Sequence, residues 1–274
     1  MAVAGTYFEY RPFGGVDEID DRSDRRAVGE EVLAEFVAAA KKAGATVVPT
    51  GDIGPVDRRT AGWAMTLAPV AALPVALGAA AVTWAGTWLD LPPLAVGLCA
   101  VATTSLATRA MHLDGLADTV DGLGGGWTRE RALEIMHSGD IGPMGVVALV
   151  LALGLQAALI GSLALLPWGA LLVAVAVMAG RASTVLTCLR GIPSARPTGM
   201  GATVAGTVAW PVAAAVQLVS VALLAGVATM ACLPWWQGAL AGVFAALGVL
   251  WLLRVCCRRF GGVSGDVMGA SIEL

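Results

Sequence analysis

Three aspartates, Asp114, Asp118 and Asp121, stand at positions i, i+4 and i+7 of a short segment between two long apolar stretches. At this spacing the three carboxylates share one face of a helix, where they could hold one or two divalent cations. Carboxylate oxygens suit Mg²⁺, whereas zinc would require histidine or cysteine ligands. The spacing therefore predicts a Mg²⁺ site with these aspartates as ligands and catalytic candidates. The alternative is a solvated acidic helix end.

Polar residues near the aspartates could complete such a site. His112 precedes them, and it could be a general base, a metal ligand or an interfacial hydrogen-bonding residue. Gly124–Gly126 would let the chain reverse over the acids. Two later segments, 190–202 and 254–274, are rich in glycine, and their backbone N–H groups could approach phosphate oxygens. The candidate substrate-binding residues in and around these segments are Arg129, Arg131, Asp140, Arg181, Arg196, Gly265 and Asp266.

The elements that must position these residues are apolar helices. The chain is 57% hydrophobic and only 14% charged, which is too apolar for a soluble protein of 274 residues. The sequence predicts an all-α, polytopic integral membrane protein with about six transmembrane helices. The predicted spans lie near 64–83, 91–108, 143–166, 168–189, 205–232 and 235–253.

The distribution of charge indicates which side the acids face. Six crossings place almost all arginines on the side of the aspartates, while the opposite loops contain only Asp90. Positive charge marks the cytoplasmic side, so the active site is expected at the cytoplasmic face of the cell membrane. Arg181 is the exception inside a span, where it could snorkel or reach into the site. Arg129, Arg131 and Arg196 could also be topology markers, and Asp266 a helix cap.

Residues 1–43 are predicted to form a separate region from the membrane-embedded domain, 44–274. This region begins with a polar tail, and hydrophobic residues at helical spacing then predict an amphipathic helix from about 26 to 43. A net charge of -3 gives no indication of nucleic-acid binding. The lipid bilayer is the expected environment, and a homo-oligomer is left open.

Several separated segments resemble cobalamin synthase, the adenosylcobinamide-GDP ribazoletransferase family. His112–Gly122 is similar to that family's HLDGLAD-x-x-DG signature, Arg131–Met136 and Asp140–Gly142 are similar to the stretch that follows it, and Ala195–Gly201 is similar to its AR-x-x-G-x-G loop. Gly261–Ala270 is similar to its GG-x-TGD-x-LGA run, with Ser264 in place of the usual threonine. The resemblance covers residues 44–274.

The resemblance implies a reaction and roles for these residues. Adenosylcobinamide phosphate would pass from adenosylcobinamide-GDP to the 5'-hydroxyl of α-ribazole or of α-ribazole 5'-phosphate, releasing GMP. The three aspartates would hold Mg²⁺ against the diphosphate, and Arg196 and Arg129 would bind phosphate oxygens. A carboxylate or His112 would accept the proton of the attacking hydroxyl, while Asp140 and Asp266 would ligate or orient.

Other functions remain open from the residues alone. A CDP-alcohol phosphotransferase or a membrane prenyltransferase would also carry aspartates and Mg²⁺ at cytoplasmic helix ends. The first would have an Ala-Arg pair after its first acid, and the second would have a second Asp-rich motif, and the sequence has neither. A transporter would carry ionisable residues near the membrane midplane, where only Arg181 comes close.

Overall fold

The computed structural model describes residues 57–274. Within this range the chain is helical, and its β-type contacts are isolated bridges between loops. The all-α prediction is therefore confirmed. The predicted tail and amphipathic helix of residues 1–43 lie outside the described residues.

Thirteen helices follow one another along residues 57–274. They are α1 Arg58–Thr66, α2 Ala68–Ala71, α3 Leu73–Trp88, α4 Pro93–Ala107, α5 Met111–Gly125, α6 Arg129–Ile135, α7 Pro143–Ala164, α8 Gly169–Ala182, α9 Thr184–Thr187, α10 Met200–Val204, α11 Trp210–Met230, α12 Trp235–Phe260 and α13 Gly265–Glu273.

Four helical stretches in the described residues are long and apolar enough to cross a membrane. They are α7, α8 continued by α9 to Thr187, α11 and α12. The bent pair α4–α5 would add a fifth, and α3 is apolar but has only 16 residues. A polytopic membrane protein is confirmed, while the count of six spans stays a prediction.

The first predicted span, near 64–83, differs most from the structure. The chain is broken there into α1, α2 and α3, and α3 continues to Trp88. Pro69 and Pro74 stand in the first turns of α2 and α3. A proline lacks the N–H that a continuous helix would use, so the helix restarts at each one.

The apolar helices pack against one another in a bundle. α3 contacts α4 and α8, α4 contacts α7, and α11 contacts α8 and α12. In the most apolar part of the α8–α9 stretch, 61% of the residues are buried, whereas in α7 only 11% are. Helix α8 is therefore central in the bundle, and α7 faces lipid. At Gly97 and Gly161 the backbones of α4 and α7 approach so closely that a Cβ would collide. Small residues permit this approach between membrane helices.

Tryptophans mark the two ends of the bundle. All nine are exposed, and most lie where an apolar helix begins or ends. The α3–α4, α7–α8 and α11–α12 connections lie at one end of the bundle, and Trp88, Trp168 and Trp235 lie there. Trp63 and Trp210 lie at the opposite end of the bundle. Tryptophan is enriched at both membrane–water interfaces, so these positions fit a bilayer around the bundle.

Helix α5 leaves the direction of the spans. It is bent by 93° from α4, across a break in which Arg109 and Ala110 adopt left-handed conformations with φ of 53° and 55°. It then packs across the end of the bundle against α6, α7 and α13. Because α5 carries three carboxylates, which are costly in hydrocarbon, we place it outside the membrane-spanning segments.

Candidate active site

Asp114 and Asp118 of α5 line a cavity of about 420 Å³, and Asp266 of α13 also lines it. We call this space the acidic cavity. Its other lining residues come from the loops that precede α7, α10 and α13, and include His137, Gly139, Ser194, Arg196, Thr198, Gly199, Gly201, Ser264 and Gly265. The three segments that the sequence singled out therefore converge.

Backbone hydrogen bonds hold the second and third segments together. Ala195 N donates to the Val263 carbonyl at 2.8 Å, and Val263 N donates to the Pro193 carbonyl at 3.0 Å. Arg129 joins the first segment to this pair, since its guanidinium donates to the Ala195 carbonyl at 3.0 Å. The loops around the acidic cavity are thus fixed by the protein itself.

Asp266 reaches Asp118 because α13 lies directly against α5. At Gly115 a Cβ would stand 2.7 Å from the Asp266 carbonyl oxygen, so a larger residue would separate the two helices. Helix α13 is capped by the Ser264 hydroxyl, which accepts from Val267 N and donates to Asp266. One interpretation of the sequence made Asp266 the helix cap. In the structure Ser264 is the cap, and Asp266 lines the acidic cavity.

The carboxylates in the acidic cavity disfavour one another's charge. Burial, followed by the charges of Asp114, Asp266 and Asp121, raises the pKa of Asp118 to about 6. Burial also raises the pKa of Asp266, against the lowering effects of the Ser264 hydrogen bond and of Arg196. A group of like charges in a partly buried site is a place where a divalent cation would be stabilised.

Asp121 lies on the same helix but not in the acidic cavity. It is 5% exposed, and its two oxygens accept from Gly142 N at 2.7 Å and from Gly145 N at 2.8 Å. The carboxylate thus caps the first turn of α7, where a negative charge is favourable. Of the three predicted aspartates, the structure therefore brings Asp114 and Asp118 to the acidic cavity and Asp121 to the start of α7.

The described residues give no ready-made metal centre. Within residues 57–274, no three His, Cys, Asp or Glu side chains are arranged as a ready cation site. Asp114 and Asp118 are one helical turn apart on α5, and Asp266 lines the same cavity. Carboxylate oxygens have the chemistry that Mg²⁺ prefers, and the Mg²⁺ site itself stays a prediction.

His112 and Arg181 contact each other beneath the acidic cavity and do not line it. The Arg181 guanidinium lies 2.6–2.7 Å from the two ring nitrogens of His112. Burial, and then the charge of Arg181, lowers the pKa of His112 to about 4, so its ring is neutral at pH 7. Gly269 of α13 packs directly on the His112 backbone. The contact between α5 and α13 therefore extends to the His112 backbone.

Of the other cations and acids that the sequence singled out, Arg196 is the one that lines the cavity. Its guanidinium donates to the Leu133 carbonyl at 2.5 Å and lies 3.1 Å from His137 Nδ1. Arg131 instead forms an exposed ion pair with Glu134 at 3.0 Å, and Asp140 is exposed outside the cavity.

Comparison with known proteins decides the family. A family model described as cobalamin-5-phosphate synthase matches residues 42–274. The chain belongs to this family. An adenosylcobinamide-GDP ribazoletransferase of a Nocardioides species is 44% identical over 229 residues, covering 84% of this chain and 90% of the relative. No solved structure matches significantly.

Two further relatives carry the same name. The adenosylcobinamide-GDP ribazoletransferase of Frankia casuarinae is 37% identical over 247 residues, which cover 84% of this chain and 87% of the relative. That of Bradyrhizobium diazoefficiens is 37% identical over 245 residues, covering 88% of this chain and 91% of its own.

In this cobalamin-5-phosphate synthase family member, two hydroxyl residues of the acidic cavity were missed from the sequence. Ser194 donates to the Arg196 carbonyl at 2.7 Å, and Thr198 lies in the same loop. Their position in a Pro/Gly-rich loop with Arg196 was the available signal. Single serines and threonines are too common in loops for residue type alone to select them.

Proposed function

We propose that this chain transfers adenosylcobinamide phosphate from adenosylcobinamide-GDP to the 5'-hydroxyl of α-ribazole or α-ribazole 5'-phosphate. The products are adenosylcobalamin or its 5'-phosphate, and GMP. Family membership and the names of the relatives support this reaction. The observation that carries it is the acidic cavity, where three carboxylates from two helices face an arginine and a glycine-rich loop.

The acidic cavity has the parts that a diphosphate requires. Asp114, Asp118 and Asp266 would hold Mg²⁺, which when bound neutralises the charge of the diphosphate and of the departing GMP. Gly199 and Gly201 bring the loop backbone to the cavity wall without a side chain in between. The phosphate group would therefore lie between the carboxylates and this loop.

Arg196 is positioned to bind the phosphate oxygens. Its contacts with the Leu133 carbonyl and His137 fix the guanidinium at the cavity wall, and a held guanidinium loses little freedom on binding a phosphate. The proton of the attacking hydroxyl would pass to a carboxylate of the acidic cavity rather than to His112. His112 does not line the cavity, and its ring contacts Arg181.

The acidic cavity is proposed to face the cytoplasm. At its end of the bundle the described residues carry Arg58, Arg59, Arg190, Arg254 and Arg258, whereas the connection between α3 and α4 at the other end carries Asp90. Positive charge beside short loops favours the cytoplasmic side. The proposed location is therefore the cytoplasmic membrane, with the acidic cavity open to soluble nucleotides.

A direct assay tests the reaction. Protein purified in detergent is incubated with adenosylcobinamide-GDP, α-ribazole and Mg²⁺, and GMP and the cobalamin product are separated by chromatography. We expect both products to form together and to disappear with EDTA. Asp114→Asn should lower the rate by about 100-fold or more, because a cavity carboxylate is lost.

The matched control is Glu130→Gln, which removes one exposed carboxylate from α6 outside the acidic cavity. It should retain full activity. Folded wild-type protein that forms no product would contradict the proposal. CDP-alcohol and prenyl diphosphate donors, assayed in parallel, would then identify either remaining class of transferase.

A further inference from the structure

A second cavity at the same end of the bundle is basic. It has a volume of about 530 Å³ and lies between α1, the turn at 206–209 and the start of α11. Arg58, Arg59 and Arg190 line it, and we call it the basic pocket. A smaller cavity lined by both Arg58 and Ser194 lies between it and the acidic cavity, which Ser194 also lines.

The charge of the basic pocket is positive. Within residues 57–274 the ion pair present is the distant one between Arg131 and Glu134, so no carboxylate from this range pairs with the three arginines. Asp57 is the acid nearby, and its side chain is engaged in capping α1 by accepting from Thr60 N at 2.6 Å. Within the described part of the chain, three guanidinium groups against one carboxylate leave an excess of positive charge that attracts an anion.

The backbone around the basic pocket is held in place. Arg58 donates to the Ala205 carbonyl at 2.8 Å, beside Gly206, which is left-handed with φ of +71°. Arg190 N donates to the Val208 carbonyl at 2.8 Å, and Val208 N donates to the Cys188 carbonyl at 2.9 Å. The arginine side chains therefore project from fixed positions, and a guanidinium fork matches the oxygens of a phosphate.

The other side of the basic pocket is apolar and lies at the membrane surface. Val208 and Val212 line it, and Trp63, which also lines it, is 56% exposed. Trp210, which is 62% exposed, begins the membrane-spanning helix α11 beside it. Exposed tryptophans at a span end indicate the level of the lipid headgroups.

We propose that the basic pocket binds the phosphate group of an anionic phospholipid, with the acyl chains lying along α11. A soluble phosphate ester shares the phosphate chemistry, but it would make no use of the apolar side or of a position at headgroup level. Basic pockets beside membrane helices recognise anionic headgroups in this way. The inference does not rest on the proposed transferase activity.

Native mass spectrometry of the full-length protein tests this proposal. Delipidated protein in a neutral detergent is mixed with equal amounts of phosphatidylglycerol and phosphatidylcholine, and the lipids that stay bound are counted. We expect one retained phosphatidylglycerol, preferred over phosphatidylcholine by about tenfold. Arg59→Gln combined with Arg190→Gln should abolish the preference, since it removes two guanidinium groups and leaves the Arg58–Ala205 hydrogen bond intact.

The matched control combines Arg254→Gln with Arg258→Gln. These arginines are also exposed at this end of the bundle, and they lie outside the basic pocket. The control should keep the preference for phosphatidylglycerol.

Two outcomes would overturn the proposal. Equal loss of the preference in both double variants would indicate diffuse surface charge, and equal retention of the two lipids by the wild type would show that no selective site exists. If millimolar inorganic phosphate displaced the lipid, the site would be one for soluble phosphate. Should the double variant not fold, Arg59→Gln alone gives the same comparison against Arg258→Gln.

Discussion

At the scale of the residue, the acids of α5 divide into two roles. Asp114 and Asp118 face the acidic cavity, while Asp121 caps the neighbouring helix α7. The helical spacing correctly put all three on one face. Asp121, however, lies about 10 Å further along the helix axis than Asp114, and a different neighbour covers the face there. Spacing predicts the direction of a side chain but not what stands opposite it.

This division predicts opposite effects of two similar substitutions. Asp121→Asn leaves one oxygen for two backbone donors, so it should lower the free energy of unfolding by about 1–3 kcal/mol. Asp118→Asn should leave the unfolding temperature unchanged or higher, since it removes a charge that its neighbours oppose. Thermal unfolding in detergent without divalent cations measures both. Equal destabilisation would show that Asp121 is not a structural cap.

The raised pKa of Asp118 predicts competition between protons and Mg²⁺. With a pKa of about 6 the carboxylate is mostly ionised at pH 7 and mostly protonated at pH 5, so binding of the cation weakens as the pH falls through 6. The Mg²⁺ concentration for half-maximal activity should rise by about tenfold between pH 7 and pH 5. In Asp118→Asn the residual activity should show a much smaller change. A pH-independent Mg²⁺ requirement in the wild type would remove Asp118 from the ligand set.

At the scale of the element, the site depends on the close contact of α5 with α13. The sequence predicted that 254–274 belongs to the site, but only the structure shows the reason, which is the small surface of Gly115 beneath Asp266. A glycine in an apolar helix is common, and Asp266, which Gly115 contacts, lies about 150 residues later in the sequence. Such a contact depends on tertiary packing, which local patterns do not contain.

Gly115→Ala should therefore impair activity through position alone. A Cβ would stand 2.7 Å from the Asp266 carbonyl, so α13 must shift and carry Asp266 away from Asp118. We expect a loss of activity of about tenfold or more with unchanged helical content by circular dichroism. Gly154→Ala in α7, where a Cβ would meet no atom within 4 Å, is the control and should be fully active. Full activity of Gly115→Ala would mean that the helix contact is not needed.

The elements also show where sequence patterns succeed and fail. Long apolar stretches predicted α7 within two residues, whereas α11 begins five residues later and α12 ends seven residues later than predicted. A run of about 20 apolar residues has few structures other than a membrane-spanning helix. The right-angle turn into α5 was not predicted. It depends on Arg109 and Ala110 in left-handed conformations, for which neither residue type gives a signal.

At the scale of the whole molecule, the acidic cavity and the connection between α11 and α12 lie at opposite ends of the apolar bundle. Cys232 is exposed in that connection. If the cavity faces the cytoplasm, a membrane-impermeant maleimide should label Cys232 in intact spheroplasts, with Cys232→Ser as the control. Glu130→Cys, introduced into the Cys232→Ser protein, should be labelled only after permeabilisation. The reverse pattern would place the cavity outside.

The place of Asp266 in the chain has a consequence for biogenesis. Asp114 and Asp118 precede α7, whereas Asp266 follows α12 and thus every apolar helix of the described residues. A nascent chain emerging in order exposes two carboxylates of the acidic cavity long before the third. The cavity therefore closes only after the last span has left the ribosome, so a partly inserted chain cannot yet hold a nucleotide substrate.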